Sequence, residues 1–258
     1  MKKHILIMKF GGSVLKSIDD FSKISDIAIK KLKKYNKLII VVSALSGMTD
    51  LLFKLSKELH PTPPLREQDM LVSVGERISI SLLAISLDKK KQKAISFTGS
   101  QSGIITCNNH NNALIKDVKP IRLLENLKKN KIIIVAGFQG VSKKKEITTL
   151  GRGGSDTTAI AIAASLRAPI VEFYKDVKGI FNKNPNENKD AIAYQNLSYT
   201  KALNLMKCIK ESAPLHERAI KLAKKNKIQL HIKTLHSDSI ETMIGQFSLD
   251  KKKEIIYE

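Results

Sequence analysis

The 258-residue sequence holds two cysteines, no tryptophan and only 5% aromatic residues. Cys107 and Cys208 are too few, and too far apart, for a disulfide framework or a zinc site, which points to a reducing cytoplasm. So few aromatics leave little to stack single-stranded nucleic acid on. No uninterrupted apolar run reaches the roughly 18 residues of a membrane span. The opening MKKHILIMKF starts like a signal peptide, but its apolar run passes into Lys9 and a glycine pair without a small-residue cleavage site. It reads as a buried first strand.

Acidic residues are also scarce, 24 against 45 basic, for a formal net charge of +21. Such a charge raises the question of nucleic acid. The basic residues are nearly all lysine, however; the arginines are Arg66, Arg77, Arg122, Arg152, Arg167 and Arg218. The lysines lie in short clusters at the ends of apolar segments (KKLKKYNK, DKKKQK, SKKKE, LAKKNK), where solvated helix ends and turns belong. Weak, salt-sensitive attraction to polyanions is the expectation, with no specific nucleic-acid site and no membrane.

What is present is a length sufficient for one large α/β domain or two lobes, at 42% hydrophobic residues. Continuous apolar runs of strand length recur at Ile5 to Phe10, Leu38 to Val42, Ile132 to Val135, Ile170 to Tyr174 and Ile228 to Ile232. Helical spacing fills the intervals: Ile18 to Leu32, Met70 to Leu87, Pro120 to Leu127 and Leu215 to Ala223. Fully apolar strands alternating with helices predict a mostly parallel sheet covered on both faces. FQGVSKKKEITTL reads as a hairpin arm, ELHPTPPLRE as a rigid loop between helices, and NKNPNENKDA as a surface loop. The lysine-rich tail after Phe247 has no evident partner element.

Four places carry candidate chemistry. The first strand ends in MKFGGSVL, and a glycine pair there suits either a plain turn or an anion site to which Lys9 adds a charge. The loop lacks the spacing of a Walker A motif and the third glycine of a dinucleotide fingerprint. The second strand ends in VVSALSGMTDLL, with Ser43 at its close and Thr49 or Asp50 as helix cap; carboxyl ends of parallel strands are where such sheets bind ligands. In DMLVSVGERISISLL, Glu76 and Arg77 interrupt an apolar helix right after Gly75. The carboxylate is either bridged to Arg77 or held for a ligand ammonium. Finally, TTLGRGGSDTTAIAIA sets Arg152 between glycines ahead of a helix start. Ser155 and Asp156 fit the cap and first turn, with Ala159, Ile160, Ala163 and Ala164 facing inward. The cap explains Ser-Asp but not Arg152, whose guanidinium suits bidentate capture of a carboxylate.

The segments KFGGSVL, SALSGMTDLL, DMLVSVGERIS, SFTGSQSGIIT, IIVAGFQGV and TTLGRGGSDTTA fall in the order and approximate spacing of bacterial aspartate kinases. The resemblance covers most of residues 4 to 245. It implies the three-layer αβα sandwich of the amino-acid kinases, with an amino-acid lobe over 1–168, a nucleotide lobe over 169–247 and a tail over 248–258. It implies ATP-dependent phosphorylation of the L-aspartate β-carboxylate, the step that opens the route to lysine, threonine and methionine. Lys9 resembles the lysine that neutralises the transferred phosphoryl group, and Gly11, Gly12 and Ser13 match the turn at the phosphates. Arg152 resembles the clamp on the substrate α-carboxylate and Glu76 the partner of its ammonium. Ser43, Thr49 and Ser155 match hydroxyl positions around the substrate, and Asp156 the aspartate that orients Lys9. No metal-ligand set is implied; Mg2+ would ride on the ATP phosphates and water. A homodimer is common in this fold, and a separate regulatory subunit is compatible with it.

The nucleotide half departs from the pattern. In FYKDVKGIFNKNPN, Lys175 replaces a small hydroxyl residue, Lys178 an aspartate, Phe181 a tyrosine, Asn184 an aspartate and Asn186 an arginine, while Asp176 and Gly179 survive. In ESAPLHERA, Ala213 stands where the family's ATP-contacting lysine would be and Glu217 replaces a proline. Each lost charge-assisted phosphate contact costs roughly 1.5–3 kcal/mol. Lys178, Lys183 or Lys210 would have to supply the missing charge, and a high ATP requirement is expected. Lys183 therefore joins Asp176 and Gly179 as a nucleotide candidate. The family's catalytic part is generally followed by a pair of small regulatory domains; if the chain is complete as given, feedback inhibition in cis is not expected. The competing readings are a kinase for another amino acid and a non-catalytic domain serving as a binding partner. Neither His216 nor His231 is asked for by this chemistry.

Overall fold

Strands that are apolar on both sides need cover on both faces, and here they obtain it. The computed structural model describes residues 3–183, 188, 191–209, 213–235, 242–246 and 257. Its first half runs β1 (Lys3–Phe10), α1 (Ile18–Leu32), β2 (Tyr35–Val42), α2 (Met48–Leu59), α3 (Leu65–Val72), α4 (Val74–Lys89), β3 (Ala94–Phe97), β4 (Ile104–Thr106), β5 (Ile115–Val118) and α5 (Ile121–Lys128). There follow β6 (Ile132–Ala136), β7 (Gln139–Ser142), β8 (Ile147–Thr149), α6 (Gly154–Ser165), β9 (Ile170–Tyr174), β10 (Ile180–Phe181), β11 (Ala193–Tyr194) and β12 (Asn196–Leu197). The last elements are α7 (Tyr199–Ile209), α8 (Glu217–Asn226), β13 (Gln229–Lys233) and β14 (Thr242–Ile244).

Eight strands form one sheet in the order β12-β14-β13-β9-β1-β2-β6-β3, parallel except where β13 meets β14. The alternation of side chains divides each central strand between two cores. Ile7, Ile39, Val41, Ile133 and Val135 enter one core with α5, α6 and α8. Leu6, Met8, Phe10, Leu38, Ile40 and Ile134 enter the other, with Phe21, Ile24 and Ala28 of α1 and Ile80, Leu83 and Leu87 of α4. The result is the expected three-layer αβα sandwich. The 168/169 lobe boundary falls between α6 and β9, and the sheet runs straight across it.

Helix α1 has the span its periodicity predicts, opened by Asp20, whose carboxylate accepts from the Ser17 N–H at 2.9 Å. The single helix predicted from Met70 to Leu87 is instead two, α3 and α4, broken at Ser73, and the proline-rich loop ends earlier than predicted, with Pro64 preceding α3. By length and composition Leu65–Lys89 has the apolarity of a membrane span. Yet it buries Gln68, Asp69 and Glu76 and packs on α1, so it is a core pair of helices. The predicted hairpin is β7-β8, but it belongs to a second, four-stranded sheet ordered β5-β4-β7-β8. Asn184, Asn186 and Lys210 lie outside the described residues, as does the tail except Tyr257, which packs against the first core.

Candidate active site

Parallel register decides which side chains meet. Phe10 lies opposite Val42 and Tyr174, Val42 opposite Ala136, and Tyr174 opposite Lys233. The residues that follow these strand ends, Gly11, Ser43, Gly137 and Lys175, therefore emerge at one edge of the sheet.

Two cavities open there. The first, about 450 Å³, is lined by Lys9, Gly12, Ser13, Ser43, Thr49, Glu76, Arg152, Ser155 and Asp156, among others. The second, about 720 Å³, is lined by Lys175, Met206, Lys207, Ala213, Pro214, Leu215, His216 and Glu217. Arg152, Gly153 and Asp156 belong to both and form the seam. Gly11 adjoins the seam, since a Cβ there would lie 3.4 Å from Lys9 Nζ. Asp176, Gly179 and Lys183 line neither cavity; Asp176 and Lys183 are exposed beyond the end of β9.

The seam is a chain of charge. Lys9 Nζ lies 2.5 Å from Asp156 Oδ1, and Lys175 Nζ lies 3.1 Å from Asp156 Oδ2. Burial pushes the Lys9 ammonium down to about 8; Asp156 opposes that shift and Lys175 adds to it. Burial would raise the Asp156 carboxyl, but Lys175 and Lys9 together hold it below its ordinary value. Asp156 occupies the first turn of α6, where the helix dipole also favours the anion. Two ammoniums on one carboxylate leave the trio with a net positive charge.

Glu76 is 2% exposed. Its Oε1 accepts from the Ala44 N–H at 3.1 Å, while Oε2 is buried without a hydrogen-bond partner. Burial pushes its carboxyl up to about 8, against the pull of the Ala44 N–H and Lys9. A Cβ on Gly75 would come within 2.7 Å of Ala44 Cβ, so only glycine lets α4 bring Glu76 this close. No hydrogen bond or ion pair joins Glu76 to Arg77 among the described residues, so the bridge the sequence left open is not formed.

Arg152 is exposed on the elbow Gly151-Arg152-Gly153, with φ of +72° and +73° at the two glycines. Gly153 also packs so tightly that a Cβ would sit 2.3 Å from His216 Cβ. The elbow is held from both sides by residues the sequence reading missed. Buried Asp69 of α3 accepts from Thr149 Oγ1 at 2.5 Å and from the Asn111 N–H, and pairs with His110 Nδ1 at 2.6 Å. Arg218 of α8 donates to the carbonyls of Leu150, at 2.5 Å, and Ala113. An acidic residue inside the apolar DMLV segment was the available signal for Asp69; a lone arginine in an amphipathic helix gave none for Arg218.

Two predicted caps are corrected. Helix α6 is capped by Gly153, with Ser155 already inside its first turn, and α2 by Gly47 rather than Thr49 or Asp50. In each case a glycine with positive φ brings the chain in too sharply for a side-chain cap. Thr49 and Ser155 are thereby left facing the first cavity. His216 caps α8, its Nδ1 accepting from the Arg218 N–H at 3.3 Å.

A mostly parallel sheet covered on both faces, with glycine turns and a buried lysine–aspartate pair at its carboxyl edge, defines the class of α/β fold. The chain belongs to the Amino acid kinase family, whose profile it matches over residues 4–234. It is 42% identical to the aspartokinase of Geobacillus stearothermophilus over 94% of its length, and 39% identical to aspartokinase 2 of Bacillus subtilis over 98%. It spans 59% and 61% of those relatives. Among solved structures, the aspartate kinase from Synechocystis superposes with a TM-score of 0.84 at 32% identity, covering 97% of this chain and 42% of that one.

Proposed function

We propose that the chain transfers the γ-phosphoryl group of ATP to the β-carboxylate of L-aspartate, giving 4-phospho-L-aspartate. The observation that carries this reading is the convergence of Lys9, Arg152 and Glu76 on one cavity beside the Gly11–Ser13 turn. About 40% identity to aspartokinases supports the choice of amino acid. In this reading Arg152 binds the α-carboxylate as a fork and Glu76 receives the α-ammonium. The unpartnered Glu76 Oε2 would gain a cationic partner, which draws its carboxyl back down toward ionisation. Ser43, Thr49 and Ser155 line the space between.

The substrate carboxylate is itself the nucleophile and is ionised at neutral pH, so no general base is needed. Lys9 and the N–H groups of the glycine turn neutralise charge on the transferred group. No group of three or more potential metal-ligating side chains occurs among the described residues, and the Asp156 carboxylate is engaged by two lysines. These residues fit a magnesium ion carried by the nucleotide phosphates, which would supply charge neutralisation there. The second cavity, continuous with the first through Arg152 and Asp156, would take the nucleotide.

The purified protein with Mg-ATP, L-aspartate and hydroxylamine should form the aspartyl hydroxamate. L-glutamate, one methylene longer, should react at least about tenfold more slowly. No hydroxamate with aspartate, or a preference for glutamate, would overturn the reading.

A further inference from the structure

Lys9 lines the first cavity and not the second, whereas Lys175 lines the second and not the first, with Asp156 between them belonging to both. By sequence, the substitute cation was expected at Lys178, Lys183 or Lys210, with Lys175 a departure from the family pattern. The structure places Lys178 and Lys183 exposed and outside both cavities, while the Lys175 side chain is only 12% exposed. Its backbone is fixed as well, the Lys175 N–H donating to the Lys233 carbonyl at 2.9 Å. Ala213, on the wall of the same cavity, offers no charge.

We propose that Lys175 is a second catalytic lysine, which holds the phosphates of the departing nucleotide while Lys9 serves the group being transferred; this rests on the kinase reading above. In the transfer, a β-carboxylate oxygen of the acceptor forms a bond to the γ-phosphorus as the bond from that phosphorus to the β–γ bridging oxygen breaks. The electron pair stays on the bridging oxygen, ADP leaves, and no proton moves. Negative charge therefore grows on the nucleotide side, where Lys175 stands. A purely structural partnership with Asp156 does not account for the arrangement. Asp156 already has Lys9 at 2.5 Å, and a second, largely covered ammonium beside the first is repelled by it. The surplus positive charge, set against the N-terminus of α6, is relieved by an anion lying over Gly11, whose absent Cβ would sit 3.4 Å from Lys9 Nζ and 3.8 Å from Lys175 Nζ.

The test compares Lys175→Met, which keeps the stem without the charge, with Lys175→Arg, which keeps the charge. Calorimetry with Mg-ADP and steady-state kinetics are the two readouts. Lys175→Met should weaken Mg-ADP binding and lower kcat/KM for ATP about 10- to 100-fold, with KM for aspartate within about threefold. Lys175→Arg should retain most of both, and Ala213→Lys in the Lys175→Met background should recover part of the loss from elsewhere on the same cavity wall. Thermal melting checks that each variant is folded; if Lys175→Met is not, Lys175→Gln takes its place. The proposal fails if the neutral variant keeps wild-type nucleotide affinity and turnover, or if neutral and arginine variants lose them equally. A wild-type protein that binds Mg-ADP but never phosphorylates aspartate would sink the kinase reading alone, with Lys175 still tested by the ADP affinity.

Discussion

The two cavities that meet at Arg152 and Asp156 are built on different principles. The first is made of strand ends, glycine turns and hydroxyls, and its shape depends on the backbone: φ near +73° at Gly153, and α4 pressed onto Ala44 through Gly75. The second is walled by Met206, Ala213, Pro214 and Leu215, with its charge on side chains that reach in from adjoining elements, among them Lys175 at the end of β9 and Lys207 of α7. Where position is set by backbone geometry, only one residue type fits. Where a site needs only a positive charge within reach, a long flexible side chain on any adjoining element supplies it. By sequence resemblance the first half keeps the aspartate kinase motifs and the nucleotide segment departs from them, and that difference in construction would account for it.

The comparison breaks most visibly at Arg152. Replacing it by alanine should lower kcat/KM for aspartate about 100- to 1,000-fold, as two charge-assisted hydrogen bonds are lost, and leave nucleotide affinity within about threefold. An equal loss for the nucleotide would mean that the cavities are not functionally divided. The next largest effect is on stability. Gly153→Ala forces a side chain into a left-handed conformation and against His216, at a cost of about 2–5 kcal/mol, which denaturant melts would register. A mild effect would show that the elbow adapts, contrary to the account of the first cavity.

Glu76→Gln gives the smallest and most diagnostic change. Burial pushes this carboxyl up to about 8 from its ordinary 4.5. Between those values the folded protein keeps a proton that the unfolded chain has released, so this group's contribution to stability is lost as pH rises through the window. Glutamine never ionises, so the variant should gain on the wild type from pH 4.5 to 8 and hold that lead above it. Lys9, lowered from 10.5 to about 8, acts oppositely between those values and is common to both proteins. Aspartate KM should rise about tenfold in the variant. A flat stability difference across pH would remove the buried carboxyl from the account.

Much of this was legible in the sequence, for physical reasons. Apolar runs such as Ile170–Tyr174 must be buried strands, and the bounds of Ile18–Leu32 follow from its periodicity and the Ser17–Asp20 start. Lys9, Glu76, Arg152 and Asp156 stood out because glycines or apolar residues surround them. The second sheet was not legible beyond its hairpin, because Ile104–Thr106 and Ile115–Val118 are too short to show a pattern. The break at Ser73 carries neither glycine nor proline at its position. The place of Lys175 on the second cavity was not legible, because matching residue for residue records a substitution, not where a long side chain ends. Asp69 and Arg218 act on the elbow through the Thr149 hydroxyl and backbone carbonyls, contacts that leave no spacing to read.

The most direct measurement is a crystal structure of the protein with L-aspartate and a non-hydrolysable ATP analogue. The account predicts the aspartate α-carboxylate on the Arg152 guanidinium, its ammonium at Glu76, and the terminal phosphate at Lys9, with the β-phosphate nearest Lys175. Aspartate bound elsewhere, or phosphates reaching neither lysine, would contradict it.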